Sequence, residues 1–328
     1  FESLLDHQAL KSKNGFSAFL VFLTNRIMTP VQNKTLLGHL AGFCCYLIFG
    51  FNIVACREIS ISGLVPPLSL FCFRSLGAAL LFWIVSIGKR EKVEDKDLIK
   101  IFGASMLGLF LTQMTFLVAI KMTTPMDTAV VASLTPIFTM FVAAIFIKEP
   151  ITVKKVAGVV LSFCGVLYLI YNSVFASNGV ASSSLLGIFL IVLNALFFSL
   201  YLGIFRPVIV KSSVVTFMKW MFTFSALIAL PLDSIELFSL SYSEFSLKII
   251  LLVSGVVFFA TFVAYLLVSY AQKQLRPTLV SMYSYVQPIV ASCLSIYLGM
   301  DVLTWKKVVA ALLVFVGVAI VNRSKSRE

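Results

Sequence analysis

Residues 135–167 read TPIFTMFVAAIFIKEPITVKKVAGVVLSFCGVL, and residues 287–319 read QPIVASCLSIYLGMDVLTWKKVVAALLVFVGVA. The two stretches align without a gap at a constant offset of 152 residues (136 to 288). This offset pairs Pro125 with Pro277, Pro136 with Pro288, Glu149 with Asp301, Thr152 with Thr304, and Gly165 with Gly317. An internal repeat in an apolar chain is typical of a duplicated membrane transporter, so the repeat is the main guide to the fold.

The composition places the chain in a membrane. The 328 residues are 60% hydrophobic and 12% charged, with a mean hydropathy of +1.02. A soluble domain has about 45–50% apolar and about 25% charged residues, so a bilayer is the expected solvent. The 26 basic residues are spread between the apolar runs rather than gathered in one patch, which argues against nucleic acid as a partner. The six cysteines and two histidines lack metal-ligand spacing, so we expect no metal and no cofactor.

Ten apolar segments are long enough to cross about 30 Å of hydrocarbon as helices. They lie near 36–56, 66–88, 98–120, 127–147, 155–172, 185–206, 213–231, 247–270, 276–298 and 304–322. The predicted fold is therefore an all-α membrane protein with two repeats of five helices, 36–172 and 185–322, joined by a linker at 173–184 and followed by a basic tail at 323–328.

Residues 1–35 form an N-terminal segment outside the repeat. The apolar run 16–23 is too short to span a bilayer and is poorly flanked for a signal peptide. We expect the working protein to begin at Met28, and an interfacial amphipathic anchor is the alternative for the residues before it.

The distribution of Lys and Arg predicts the orientation. Most of them fall in connections on one side of the membrane, for example Lys89, Arg90, Lys92 and Lys96, which indicates that both termini are cytoplasmic. Five helices is an odd number, so the second repeat must run antiparallel to the first. The first helices of the repeats also align, with Arg57 matching Arg206 at an offset of 149 residues.

Several function classes are excluded or weakened by missing motifs. The chain has no Walker glycine loop, HExxH, GxSxG or dinucleotide fingerprint, so we expect no catalytic residues. The acids read as helix-end, loop or terminal residues, with Asp233 placed in an outside loop and no carboxylate in mid-helix. Proton exporters commonly use a buried carboxylate, so this reading weakens obligatory proton antiport.

Polar side chains within the apolar segments are the binding-site candidates. Arg74 lies well inside the second segment, where a central Arg costs about 2.5–3.5 kcal/mol on insertion scales. It is interpreted either as an anchor for an anionic group of a substrate or as a structural residue. The uncharged candidates either line a cavity or bond one helix to another, and they are Asn52, Gln113, Thr135, Asn194, Tyr201, Trp220, Tyr265, Tyr283 and Gln287.

Two other features are duplicated in the repeat. Pro136 and Pro288 each remove a backbone hydrogen bond within a helix, which predicts a hinge at a site near the middle of the membrane. The fifth and tenth segments carry a smooth stripe that includes Gly165 and Gly317. Such a stripe suits close helix packing or a homodimer contact rather than a pore.

From about Leu36 to Asn322 the chain resembles the EamA family of the drug/metabolite transporter superfamily. The resemblance rests on the proline-bearing fourth helix, the short acidic turn and the glycine-bearing fifth helix, each present twice. It implies ten helices in two inverted EamA repeats, cytoplasmic termini, a central cavity, and export or exchange of small metabolites by alternating access. Small multidrug pumps of the superfamily carry a glutamate in the first helix, where this chain offers Asn52.

The sequence thus predicts a secondary transporter in a plasma membrane, the bacterial inner membrane, that handles small metabolites, with amino acids as the first choice. A multidrug or dye exporter is the alternative, and a non-transporting receptor or assembly protein is the alternative of another class. The expected partners are a small-molecule metabolite, the lipid bilayer and a second copy of the chain.

Overall fold

A computed structural model describes residues 31–87, 91–146, 152–172 and 183–323. These residues form helices and short connections, and they contain no β-strand. Eight of the helices are long and apolar enough to cross a membrane. The predicted N-terminal segment and basic tail lie largely outside the described residues, and so does most of the linker.

Ten long helical segments follow one another along the described chain. They are α1 (Val31–Ser62), α2 (Pro67–Val85), α3 (Asp95–Ala119), α4 (Pro125–Phe146), α5 (Val153–Ile170), α6 (Leu185–Ile204), α7 (Val214–Ser239), α8 (Leu247–Gln274), α9 (Pro277–Tyr297) and α10 (Trp305–Arg323). A short helix, Arg206–Lys211, connects α6 to α7. The eight membrane-length helices are all of these except α5 and α10.

The irregular turns of the helices recur in both halves. In α3 a π-helical turn covers Met106–Leu111, and in α8 one covers Val256–Val263. The α-helix of α4 stops at Ala132 and resumes at Thr135, while α9 has a 3₁₀ turn at Tyr283–Tyr285 in the matching place. Helix irregularities normally have local causes, so their duplication shows that the repeat extends to backbone detail.

Pro136 causes the interruption of α4. A proline has no N–H, so the carbonyl of Ala132, four residues earlier, loses its usual helical partner. The hydroxyl of Thr135 donates a hydrogen bond to this carbonyl at 2.6 Å. The carbonyl of Thr135 accepts a hydrogen bond from Ser199 Oγ on α6 at 2.9 Å, so the break is tied to the second half. A hinge motion at Pro136 and Pro288 stays a prediction.

The two halves pack against each other symmetrically. Helix α1 packs on α8 and α9, and its counterpart α6 packs on α3 and α4. Helix α2 packs on α8, and its counterpart α7 packs on α3. Three helices of the first half also pack on their own counterparts in the second half: α2 on α7, α4 on α9, and α5 on α10. Exchanging the halves therefore reproduces these principal helix contacts, as expected for two repeats related by a twofold axis.

The stripes of small residues on α5 and α10 face each other within the chain. A Cβ atom on Gly317 would lie 2.5 Å from the carbonyl oxygen of Gly158 and 2.6 Å from the amide nitrogen of Ser162. Ser162 Oγ donates to the carbonyl of Val314 at 3.1 Å. These small residues thus serve close helix packing inside one molecule, and a homodimer through the same helices stays a prediction.

Candidate functional site

A cavity of about 70 Å³ lies between the two halves. Six helices contribute to its wall: α1, α3 and α4 from the first half, and α6, α8 and α9 from the second. Its polar lining consists of Asn52, Thr112, Gln113, Thr128, Thr135, Asn194, Tyr265 and Gln287, together with the hydroxyl-bearing Tyr46. Ligand pockets usually measure about 300–1,000 Å³, so this space is smaller than a typical ligand pocket.

Six of the residues predicted for the site come together around this cavity. They are Asn52, Gln113, Thr135, Asn194, Tyr265 and Gln287. Gln113 Nε2 donates to Tyr265 Oη at 2.7 Å, and Asn194 Nδ2 donates to the carbonyl of Thr112 at 2.6 Å. These bonds fix two of the side-chain amides across different helices. Whether the six residues bind a substrate stays a prediction.

The cavity wall is built from pairs of equivalent residues. Gln113 and Tyr265, which bond to each other, are 152 positions apart, and so are Thr135 and Gln287. Phe49 of α1 and Phe198 of α6 are equivalent at the offset of 149, and their ring centroids are 6.4 Å apart. The cavity therefore lies where the two repeats meet.

Aromatic lining residues escaped the sequence-based prediction. Tyr46, Phe49 and Phe116 line the cavity beside the predicted amides, and Phe49 also contacts Tyr265 with ring centroids 5.9 Å apart. Helix periodicity could have found the first two, because Phe49 lies three residues before Asn52 and Tyr46 lies three before Phe49. The apolar composition of the whole segment hid this face.

Arg74 is not among the residues that line this cavity, and a role at the substrate stays a prediction. Arg74 is 1% exposed, and its Nε donates to Thr261 Oγ1 in the π-helical turn of α8 at 2.9 Å. Its Nη atoms point to Cys56 Sγ and to the carbonyl of Ala260. No carboxylate of the described residues pairs with it. Arg74 thus joins α2 to α8.

Three further candidates, Tyr201, Trp220 and Tyr283, are not among the residues that line this cavity, and their contact with a substrate stays a prediction. The buried ring of Tyr201 fills the space beside Gly108, where a Cβ would come within 2.6 Å. Trp220 packs on Trp83. Tyr283 Oη lies 2.6 Å from His39 Nδ1, which joins α9 to α1. All three side chains bond or pack one helix against another.

A buried ion cluster, formed by Asp127, Asp301 and Lys307, was not identified from the sequence. Lys307 Nζ lies 2.6 Å from Asp301 Oδ1 and 3.4 Å from Asp127 Oδ1. Both aspartate side chains are 0% exposed, and the lysine side chain is 6% exposed. Ser183 Oγ donates to Asp127 Oδ2 at 2.7 Å. The cluster joins the start of α4 to the loop before α10, and thereby joins the two halves at one end.

The equivalent end of the molecule differs. Asp127 corresponds to Leu279, which is exposed, and Lys307 corresponds to the buried Lys155. Glu149, the counterpart of Asp301, lies outside the described residues. Asp127 of the ion cluster therefore has no acidic counterpart in the other repeat.

Asp233 was expected in an outside loop, and this prediction was wrong. The predicted segment ended at residue 231, but α7 continues through Pro231 to Ser239 and includes Asp233. Asp233 is 1% exposed and lies beside Cys72 of α2 in the described part of the chain. Within the same part, no three His, Cys, Asp or Glu side chains are grouped as metal ligands.

Known proteins support the assignment of fold and class. The EamA-like transporter family matches residues 36–171 and 185–323. An uncharacterized transporter of Archaeoglobus fulgidus is 25% identical over 80% of this chain and 90% of its own length. The uncharacterized transporter YyaM of Bacillus subtilis is 22% identical over 83% of this chain and 91% of its own length.

A solved crystal structure shares the fold. It superposes with a TM-score of 0.61 at 17% identity and covers 88% of this chain and 96% of its own. Together with the apolar helices, these matches identify an integral, multi-pass membrane protein that functions as a transporter. The chain belongs to the EamA-like transporter family.

Proposed function

We propose that this protein is a secondary transporter that exports or exchanges small metabolites by alternating access through the central cavity. The observation that carries the proposal is the cavity wall, in which repeat-equivalent residues such as Gln113 and Tyr265 meet. Substrate sites of transporters with inverted repeats lie at the repeat interface near the middle of the membrane. The position of the cavity between the two repeats supports a substrate site there.

The proposed architecture is ten membrane-spanning helices in two inverted repeats, with α5 and α10 as the fifth and tenth spans. Inversion follows from five spans in each repeat, and the exchange symmetry of the helix contacts supports it. With both termini cytoplasmic in the inner membrane, the ion cluster would lie at the outer end. Alternating access would then require Lys307 and Asp127 to separate when that end opens.

Amino acids are the metabolites first expected from the sequence, and they remain a candidate class. That expectation used Arg74 as the carboxylate anchor, and the hydrogen bonds of Arg74 are directed to α8 and Cys56 instead. A multidrug exporter of organic cations finds less support, because no carboxylate lines the cavity among the described residues. A non-transporting receptor would give the duplicated halves no evident use.

Counterflow in proteoliposomes tests the proposed function. Liposomes preloaded with an unlabelled compound should accumulate the same labelled compound transiently, and the panel should include amino acids, uracil and nicotinamide. Saturable counterflow of at least one compound above protein-free liposomes is the expected result. Its absence across the panel would count against a metabolite transporter of these classes.

A second experiment tests alternating access itself. Cysteines replacing Asp127 and Asp301 on a background without native cysteines should form a cross-link across the closed end, because Asp301 Oδ2 accepts a hydrogen bond from the amide of Met126 at 3.3 Å. Oxidation should stop counterflow and reduction should restore it. Undiminished counterflow in the fully cross-linked protein would contradict a mechanism that opens this end. Cysteines at the exposed Lys306 and Val302 provide the control pair.

A further inference from the structure

The cavity lining is polar but uncharged. Among the described residues, the groups that reach the cavity are amides, hydroxyls and aromatic rings, with no Lys, Arg, Asp or Glu. Four side-chain amides converge there from four different helices: Asn52, Gln113, Asn194 and Gln287. An amide offers both donors and an acceptor, so this wall can bind a ligand through hydrogen bonds of either direction.

Part of this hydrogen-bonding capacity is unused. Gln113 donates to Tyr265, but its Oε1 is buried with no partner, and the hydroxyl of Tyr46 is also buried with no partner among the described residues. Tyr46 and Gln113 are 2% and 8% exposed, so bulk water does not satisfy them. A buried polar group without a partner costs about 1–3 kcal/mol. A ligand that donates to Gln113 and accepts from Tyr46 would remove this cost.

Aromatic rings give the same space flat walls. Phe49 contacts Tyr46, Phe198 and Tyr265 edge to face, with ring centroids 5.7–6.4 Å apart. Phe116 completes the aromatic lining from α3. Aromatic faces and edges favour a planar partner, because offset-stacked and T-shaped contacts add about 0.5–1.5 kcal/mol beyond the buried area.

Charge selects against ionic ligands. An ion moved into a buried cavity loses hydration worth several kcal/mol unless a counter-charge or several donors replace it. An anion would find no cationic side chain in the lining, because the guanidinium of Arg74 is directed to Thr261, Cys56 and Ala260. A cation would find no carboxylate among the described residues of the lining.

We propose that the cavity takes an uncharged, planar compound with both hydrogen-bond donors and acceptors, a class that includes aromatic carboxamides and nucleobases. This inference rests on the proposed function, since it names the substrate class of the same cavity. The volume of about 70 Å³ is too small for such a compound, so binding must widen the site. The separation of the halves in alternating access supplies that widening.

Three isosteric probes isolate the effect of charge. Benzamide, benzoate and benzamidinium are all planar and of nearly equal size, and at pH 7.4 they are neutral, anionic and cationic. Their binding to the purified full-length protein in detergent is measured by calorimetry and by the shift in melting temperature. We expect benzamide to bind at least about tenfold more tightly than either ion, a factor that corresponds to the cost of an unpaired buried group.

Variants connect the binding to the cavity. Gln113→Leu and Gln287→Leu should each weaken benzamide binding about tenfold, because each removes a hydrogen-bonding group from the wall. Asn172→Leu is the matched control, since it removes an amide just after α5 that bonds only to the carbonyl of Tyr168 among the described residues. It should bind benzamide like the unmodified protein.

The outcomes separate this inference from the proposed function. Equal or tighter binding of benzoate or benzamidinium would overturn the uncharged class, and so would no binding of any probe at millimolar concentration. If Asn172→Leu lost as much benzamide binding as Gln113→Leu, the weaker binding of Gln113→Leu could not be attributed to the cavity. Charge-selective binding without counterflow of any compound would leave the binding site standing and would refute transport alone.

Discussion

Replacing Lys307 by methionine should destabilise the protein far more than the same replacement at its neighbour. Lys307 is the cation between Asp127 and Asp301, whose side chains are both 0% exposed. Methionine keeps much of the length of the side chain but removes the charge, so the two buried carboxylates would lose the lysine with which both of them pair. Removing one partner of a buried ion pair costs about 3–5 kcal/mol, and we expect a loss in this range.

The matched control is Lys306→Met. Lys306 is exposed at the start of the same helix, so its replacement should change the free energy of unfolding by less than about 0.5 kcal/mol. Asp127→Asn should be intermediate, because it leaves the Lys307–Asp301 pair at 2.6 Å intact. Unfolding is followed by circular dichroism during titration with SDS in mixed micelles. A free energy for Lys307→Met within about 1 kcal/mol of Lys306→Met would refute the reasoning that the cluster depends on its lysine.

Three further predictions concern other parts of the fold. Gly317→Ala should destabilise the protein by about 1–3 kcal/mol, because the new Cβ would clash with the backbone of α5. Gly255→Ala should instead stabilise α8 by about 0.5–1 kcal/mol, because its Cβ would meet nothing within 4 Å. The melting temperatures of the two variants test the difference. Burial opposes the ionisation of Glu91, but hydrogen bonds from Ser213 and Thr216 outweigh it and hold the pKa of Glu91 below its usual 4.5. The ionised Glu91 should therefore stabilise the protein fully above pH 4.5 and progressively less as the pH falls further. The unmodified protein should be more stable than Glu91→Gln by at most about 1 kcal/mol, and melting curves should show that this difference decreases at lower pH. Arg74→Met should lower the melting temperature and the amount of folded protein, while any remaining counterflow should keep its apparent KM. An increased KM with unchanged stability would instead place Arg74 at the substrate.

The repeat allowed most of the fold to be predicted from the sequence. The segments expected near 98–120 and 276–298, for example, correspond to α3 at Asp95–Ala119 and α9 at Pro277–Tyr297. The π-helical turns could not be foreseen from the apolar pattern of the segments that contain them. The end of α7 was wrong because a proline in a membrane helix is tolerated when its surroundings satisfy the freed carbonyl.

The candidate site was predicted in part, for a physical reason. An uncharged polar side chain in an apolar helix must point inward, and this rule correctly placed Asn52 and Gln287 away from the lipid. The rule cannot distinguish a residue of the cavity wall from a residue at a contact between helices, because an inward-pointing polar side chain can form hydrogen bonds at either position. Tyr201 and Tyr283 illustrate this limit, since both point inward but serve helix contacts.

The ion cluster lay beyond sequence reasoning for a different reason. Asp127 and Lys307 are 180 positions apart and belong to different repeats, and each one alone reads as an ordinary charge at the end of a helix. The repeat does offer a signal, because Asp127 replaces an aliphatic residue at its counterpart Leu279. A charged residue in only one of two duplicated segments is a reason to search for a partner in the other half.

The hydrogen bond between Gln113 and Tyr265 shows what fusion of the two halves into one chain permits. In a symmetric pair of identical subunits, this position on the axis would set a residue against a copy of itself. A single gene can place an amide donor on one side and a phenol oxygen on the other. The two sides of the cavity then differ in their hydrogen-bonding groups, so an asymmetric molecule that enters it has one preferred orientation.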